Sequence, residues 1–215
     1  MKLVIFDLDG TLLNTIEDLG ACANHILGKH GLPTHTVGEY TLMVGRGMRN
    51  LIRSAVPQEI QDDAARVDSL LSEFLAWYQD HLDIYTKPYP GIPEVVSELH
   101  SRGYGIAVAS NKIQAGTEKL IREFFPGIPF VAILGNSPRF PLKPSADVVN
   151  YIMDKADADA GSTIMVGDSG IDIQTALNAG IKVIAVSWGF RPRHELAGAN
   201  YIADSASQLL DLIGL

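Results

Sequence analysis

Residues 2–11, KLVIFDLDGT, constrain this chain more than any other stretch. Leu3, Val4, Ile5 and Phe6 form an unbroken apolar run, the pattern of a strand buried on both faces of a sheet. Asp7 and Asp9 follow at once. Ionised carboxylates at the mouth of such a strand are costly unless a cation or a set of donors compensates them. Residues i and i+2 of an extended segment share a face, so both side chains can serve one site at the strand's carboxyl end, where open α/β sheets bind ligands. Gly10 frees the backbone to turn, and Thr11 adds a hydroxyl. The same residues also satisfy a plainer reading, a strand-ending turn built from ordinary turn formers.

Downstream, Asn14 with Glu17 three residues later reads as a capping box opening a helix through about residue 29, stopped by Gly31 and Pro33. Helical patterns continue over residues 40–43, 48–56 and 59–81, with no strand between Thr11 and about residue 104. An all-helical stretch between two strands departs from β/α alternation, so residues 14–85 are expected to form a helical cap over the end of the first strand. The core resumes with a Pro-rich entry to a helix at 94–102. A strand at 105–109 then ends in Ser110-Asn111-Lys112. A helix at 117–125, a strand at 130–134 and a loop carrying Lys143 follow, with Pro144 starting the next helix. The strand at 163–166 runs into Gly167-Asp168-Ser169-Gly170-Ile171-Asp172 and a helix to residue 179. Strands at 182–186 and 201–203 and a helix at 207–213 complete the chain. This alternation predicts an α/β fold, a three-layer, Rossmann-like parallel sheet formed by residues 1–13 and 86–215. Such a sheet brings Asp7, Asp9, Ser110 and Asp168 to one rim, within reach of Lys143.

Composition narrows the function classes. Hydrophobic residues at 47% and charged ones at 20% exclude wholesale disorder. Twenty-five acidic against seventeen basic residues, a formal net charge of −8, argue against a nucleic-acid surface. An anionic substrate therefore needs locally concentrated positive charge. The lone Cys22 is expected to be a buried structural residue and fits a reducing compartment. The first apolar run meets Asp7 too soon for a signal peptide, and no span of roughly 18 apolar residues occurs. A soluble, cytoplasmic protein is expected, a monomer or homodimer with no membrane partner.

Four groups now stand in order: Asp7-x-Asp9-x-Thr11, Ser110 after a strand, Lys143-Pro144, and Gly167-Asp168-x-x-x-Asp172. Together they resemble the four motifs of the haloacid dehalogenase-like hydrolases, mostly magnesium-dependent phosphatases. The resemblance covers the whole chain; Ala146, where many relatives carry a second proline, is the visible departure. It implies that Asp7 attacks phosphorus and becomes an aspartyl phosphate, while Asp9 protonates the leaving alcohol and then activates water. It further implies Mg²⁺ on Asp7, the main-chain carbonyl of Asp9 and Asp168, with Asp172 in support. Lys143 would neutralise Asp7 and the phosphoryl oxygens. Thr11, Ser110 and Asn111 would bind phosphate, although turn and solvent roles are the more ordinary ones for Asn111 and Lys112. Trp77 and Tyr78 are read as packing residues of the cap.

Residues 44–52, VGRGMRNLI, resemble the cap segment of phosphoglycolate phosphatases, which makes Arg46 a candidate for a substrate carboxylate. The implied substrate is a small phosphorylated metabolite, with 2-phosphoglycolate first. A sugar-phosphate phosphatase, a phosphomutase or a pyrophosphatase would use the same acids. A dehalogenase has no need of Asp9, and a phosphonate hydrolase needs a cap lysine where only Lys29 is present. A non-catalytic module binding phosphorylated metabolites is the alternative from another class.

Overall fold

β1 (Leu3–Phe6) occupies the middle of a six-stranded parallel sheet in the computed structural model, which describes residues 1–214. None of its four side chains is more than 1% exposed, which explains the unbroken apolar run. β1 pairs with β4 (Gly105–Ile113) on one side and β6 (Thr163–Gly167) on the other, Leu3 standing opposite Gly105 and Thr163. β5 (Ala132–Asn136) extends the sheet beyond β4; β7 (Lys182–Val186) and β8 (Tyr201–Ala203) extend it beyond β6. The chain thus steps outward from β1 in one direction and then resumes on β1's other flank. That reversal opens a crevice at the carboxyl ends of the central strands.

Alternation along β1 assigns the two faces. Val4 and Phe6 join the apolar cluster containing Val96 of α6 (Ile92–Ser101), Leu120 of α7 (Gln114–Phe124) and Leu209 of α10 (Ala206–Ile213). Leu3 and Ile5 join the other cluster, with Val149 and Ile152 of α8 (Asp147–Ala156) and Ala176 of α9 (Gly170–Ala179). Three layers result, as the alternating pattern predicts. Among the described residues no helix is long and apolar enough to cross a membrane.

Between β1 and β4 run α1 (Ile16–Lys29), α2 (Val37–Met43), α3 (Met48–Ala55), α4 (Gln58–Gln61) and α5 (Ala64–Tyr78). They pack through buried Leu19, Leu27, Tyr40, Leu51, Phe74 and Tyr78. Asp18, 1% exposed, ties α1 to the returning chain: it accepts from the Tyr85 amide at 3.0 Å, the Thr86 amide at 2.8 Å and the Thr86 hydroxyl at 2.7 Å.

Several local expectations are corrected. A two-residue antiparallel ribbon, β2 (Leu13–Asn14) with β3 (Lys87–Pro88), lies inside the stretch read as strand-free and is too short to leave a periodicity. The capping box from Asn14 to Glu17 does not form; Thr15 stands at the N-cap and its hydroxyl turns instead to Asp9 at 2.7 Å. The pattern over 59–81 is two helices, because Asp63 caps α5 by accepting from the Arg66 amide. β4 continues to Ile113, so Ser110, Asn111 and Lys112 belong to the strand. The helix after Pro144 begins only at Asp147.

Asp18 concentrates three donors in a dry place, so removing it strands them. Asp18→Ala is expected to cost at least about 2 kcal/mol, read as a lower urea midpoint in equilibrium unfolding.

Candidate active site

Asp7, leaving β1, Asp168, leaving β6, and Asp172, in the first turn of α9, converge so that one carboxylate oxygen of each lies within 4.8 Å of the others. Lys143, 5% exposed, sits between two of them, its Nζ 2.9 Å from Asp7 Oδ1 and 2.6 Å from Asp172 Oδ1. Backbone donors complete the set. The Leu8 amide donates to Asp7 at 2.7 Å, the Phe190 amide to Asp168 at 2.7 Å, and the Ser169 amide and hydroxyl to Asp172 at 3.1 and 2.6 Å. A side chain at Gly10 or Gly189 would run into the Asp168 carboxylate from opposite neighbours. Gly189, in the turn after β7, went unnoticed in the sequence; a glycine directly beyond a strand's carboxyl end was its only signal.

Asp9 faces elsewhere. Its Oδ1 accepts from the Thr15 hydroxyl at 2.7 Å and from Lys112 Nζ at 3.0 Å, and its carboxylate lies outside the three-acid cluster. The solvent role considered for Lys112 is wrong: its side chain is fully buried, and its ammonium also meets the Tyr78 hydroxyl at 2.5 Å. Tyr78 therefore does more than pack the helices. Ser110 lines the same chamber, its hydroxyl accepting from the Lys112 amide at 3.2 Å. The Asn111 amide group is committed to backbone, donating to the carbonyls of Gly45 and Lys143 and accepting from the Lys143 amide. Thr11 is 1% exposed, and its hydroxyl has no partner among the described residues.

Asp7, Asp9, Asp168, Ser110 and Lys112 line one chamber of about 40 Å³. Leu19, Val44, Met48 and Leu51 of the helical segment give it an apolar roof. Arg46 is not at this chamber. It is exposed and borders a separate polar groove of about 470 Å³ together with Arg53. Arg191, which sequence reasoning missed, reaches both places; its guanidinium donates to the Thr41 and Val44 carbonyls, the latter at 2.7 Å.

Burial pushes the Asp7 carboxyl up from 3.8 to about 7; Lys143 opposes this, while Asp172 and Asp9 add to it. Burial, then Asp172 and Asp7, hold Asp168 well above the usual carboxylate range. Burial alone would discharge Lys143, but Asp172 and Asp7 outweigh it and keep the ammonium protonated. Three acids against one buried cation leave an excess of negative charge. A donor set made only of carboxylate oxygens, in a cradle kept open by two glycines, fits a hard divalent cation.

The haloacid dehalogenase-like hydrolase model matches residues 4–186, and the chain belongs to that family of enzymes. Among curated relatives, a phosphoglycolate phosphatase of Mesorhizobium japonicum is 36% identical over 89% of this chain and 85% of its own. One from Vibrio parahaemolyticus is 30% identical over 100% of this chain and 97% of its own. Of solved structures, a Lactobacillus delbrueckii subsp. bulgaricus protein provisionally given the same activity superposes with a TM-score of 0.92 at 31% identity, covering 99% of this chain and 98% of its own.

The Asp7 shift has a measurable consequence. An acid whose folded pKa lies above its ordinary value binds protons more tightly folded than unfolded, so stability rises as pH falls through the folded value. The metal-free protein is expected to melt at a higher temperature at about pH 6 than at about pH 8. Added Mg²⁺ is expected to raise the melting temperature more at the higher pH, since cation and proton relieve the same repulsion. Scanning fluorimetry at both pH values checks the sign. Gly189→Ala, which crowds Asp168, is expected to shrink the Mg²⁺-dependent gain in the same assay.

Proposed function

We propose that this hydrolase is a Mg²⁺-dependent phosphatase of small phosphomonoesters, acting through a phosphoaspartate on Asp7, with 2-phosphoglycolate as the leading substrate. The observation that carries the reading is the meeting of Asp7, Asp168, Asp172 and Lys143 at the sheet's crevice, with Asp9 held separately at the same chamber. The named relatives support the substrate.

Asp7 serves as the nucleophile: a carboxylate oxygen bonds to phosphorus as the bond to the leaving oxygen breaks. Asp9 gives that oxygen its proton, then takes one from the water that releases phosphate from Asp7, restoring both acids. Asp7, Asp168 and the main-chain carbonyl of Asp9 would hold Mg²⁺, with Asp172 in support; the bound ion would neutralise charge on the phosphoryl oxygens. Lys143 adds a fixed positive charge beside Asp7. Ser110 offers its hydroxyl to the phosphoryl group, and Thr11 behind the chamber has a buried hydroxyl without a protein partner among the described residues. Asn111 fits a bracing role better, since its amide is taken up by backbone.

Residues 14–85 act in this reading as a cap whose apolar roof excludes water during transfer. Arg46 would have to turn inward to meet a substrate carboxylate, and its place at the outer groove weighs against that role. The protein is read as a monomer or homodimer, and the single buried Cys22, its thiol pushed up to about 12 by burial, suits a cytoplasmic setting.

Steady-state phosphate release from a panel of 2-phosphoglycolate, hexose phosphates, pyrophosphate and nucleotides tests the proposal. The expected result is Mg²⁺-dependent release favouring 2-phosphoglycolate, abolished by Asp7→Asn and lowered about 10²- to 10⁴-fold by Asp9→Asn. Preference for another ester would replace the substrate and keep the mechanism. No Mg²⁺-dependent release from any member would overturn the phosphatase reading.

A further inference from the structure

Asp9 is held from two sides by groups that the reaction itself does not require. Lys112 Nζ stands 3.0 Å from Asp9 Oδ1 and 2.5 Å from the Tyr78 hydroxyl, and 4.8 Å from the centre of the Tyr78 ring. Lys112 belongs to β4, Tyr78 to the last turn of α5, and both side chains are buried. A fully desolvated ammonium is expensive, so its few partners determine where it can rest. Here they are one carboxylate oxygen and one phenol oxygen. Thr15 Oγ1 takes the same Asp9 oxygen at 2.7 Å. Asp9 Oδ2, in contrast, has no hydrogen-bond partner among the described residues, and Asp9 lines the chamber.

We infer that Lys112 and Tyr78 are positioning residues for the general acid: they pin one oxygen of Asp9 and leave the other for the leaving group. Tyr78 comes from the helical segment and Lys112 from the sheet, so the acid is aimed only while the two are packed together. This rests on Asp9 being the acid of the proposed phosphatase. A lysine that merely filled space would have no effect on one leaving group over another. A lysine that bound substrate directly would matter most for substrates carrying a second anionic group.

The test compares kcat/KM, which reports steps up to phosphoryl transfer, for three small substrates with Mg²⁺. Ethyl phosphate has a poor leaving group that needs a proton, acetyl phosphate of nearly the same size has a good one that does not, and 2-phosphoglycolate adds a carboxylate. Lys112→Met is expected to lose about tenfold or more on ethyl phosphate and on 2-phosphoglycolate, and no more than about threefold on acetyl phosphate. Tyr78→Phe, which removes only the hydroxyl, is expected to show the same selectivity at smaller size, with thermal unfolding confirming that both variants fold. Equal losses on ethyl and acetyl phosphate, no loss, or a loss confined to 2-phosphoglycolate would each overturn the positioning role. A wild type that releases phosphate from none of the three would instead overturn the phosphatase reading beneath it.

Discussion

The structure depends on an electrostatic imbalance at the carboxyl end of β1. Asp7, Asp168 and Asp172 crowd together in a dry crevice with one ammonium, that of Lys143, between two of them. Like charges this close cannot all ionise without compensation, and burial sharpens the conflict. The chain answers with fixed dipoles: the amides of Leu8, Phe190 and Ser169 each donate to one of the acids. These donors soften the repulsion but do not cancel it, as the raised Asp7 and Asp168 carboxyls record. A site left wanting positive charge fits a hard divalent cation, as the proposed phosphatase reaction requires.

Sheet topology makes this crowding possible. The two flanks of β1 supply β4 with Ser110 and Lys112, and β6 with Asp168, while β7 sends Gly189 and the Phe190 amide over the same rim. No single segment could bring such groups together; parallel strands with their ends aligned can. The helical segment closes the remaining side with Leu19, Val44, Met48 and Leu51, side chains that offer a phosphoryl group nothing. In the proposed reaction their part is exclusion of water, which strengthens each charge interaction beneath them.

Much of this was legible because β1, β6 and β7 are dry on both faces and so spell themselves as apolar runs, and because Asp7 and Asp168 interrupt that dryness at strand ends, with Lys143 on a loop that reaches the same rim. What sequence reasoning missed has local physical causes. The β2/β3 ribbon is two residues long, below any period. Ser110, Asn111 and Lys112 read as following the strand's end, since polar residues rarely continue a buried strand, yet each finds a buried partner here. The helix start was read at Asn14 with Glu17, and Thr15 beside it, whose hydroxyl goes to Asp9, carried no signal of its own. Tyr78 reads as an apolar packing residue in α5, and only its hydroxyl, at the far end of the ring, tells otherwise. Arg46 was attractive as a charged residue between two glycines, but a turn can point outward as readily as inward, and this one does.

The division of labour among the basic residues follows from their shapes. The cations set directly between the site's oxygens are lysines, whose compact ammonium fits there: Lys143 between Asp7 and Asp172, Lys112 between Asp9 and Tyr78. At the edge stands Arg191, whose planar fork spans the diverging carbonyls of Thr41 and Val44, a task one ammonium would do less well. An arginine beside Asp7 would bring a longer, planar guanidinium into the place one ammonium fills between Asp7 and Asp172. Exchanging lysine for arginine there thus preserves charge and loses fit, because the buried crevice accommodates a compact point of positive charge and not a planar fork.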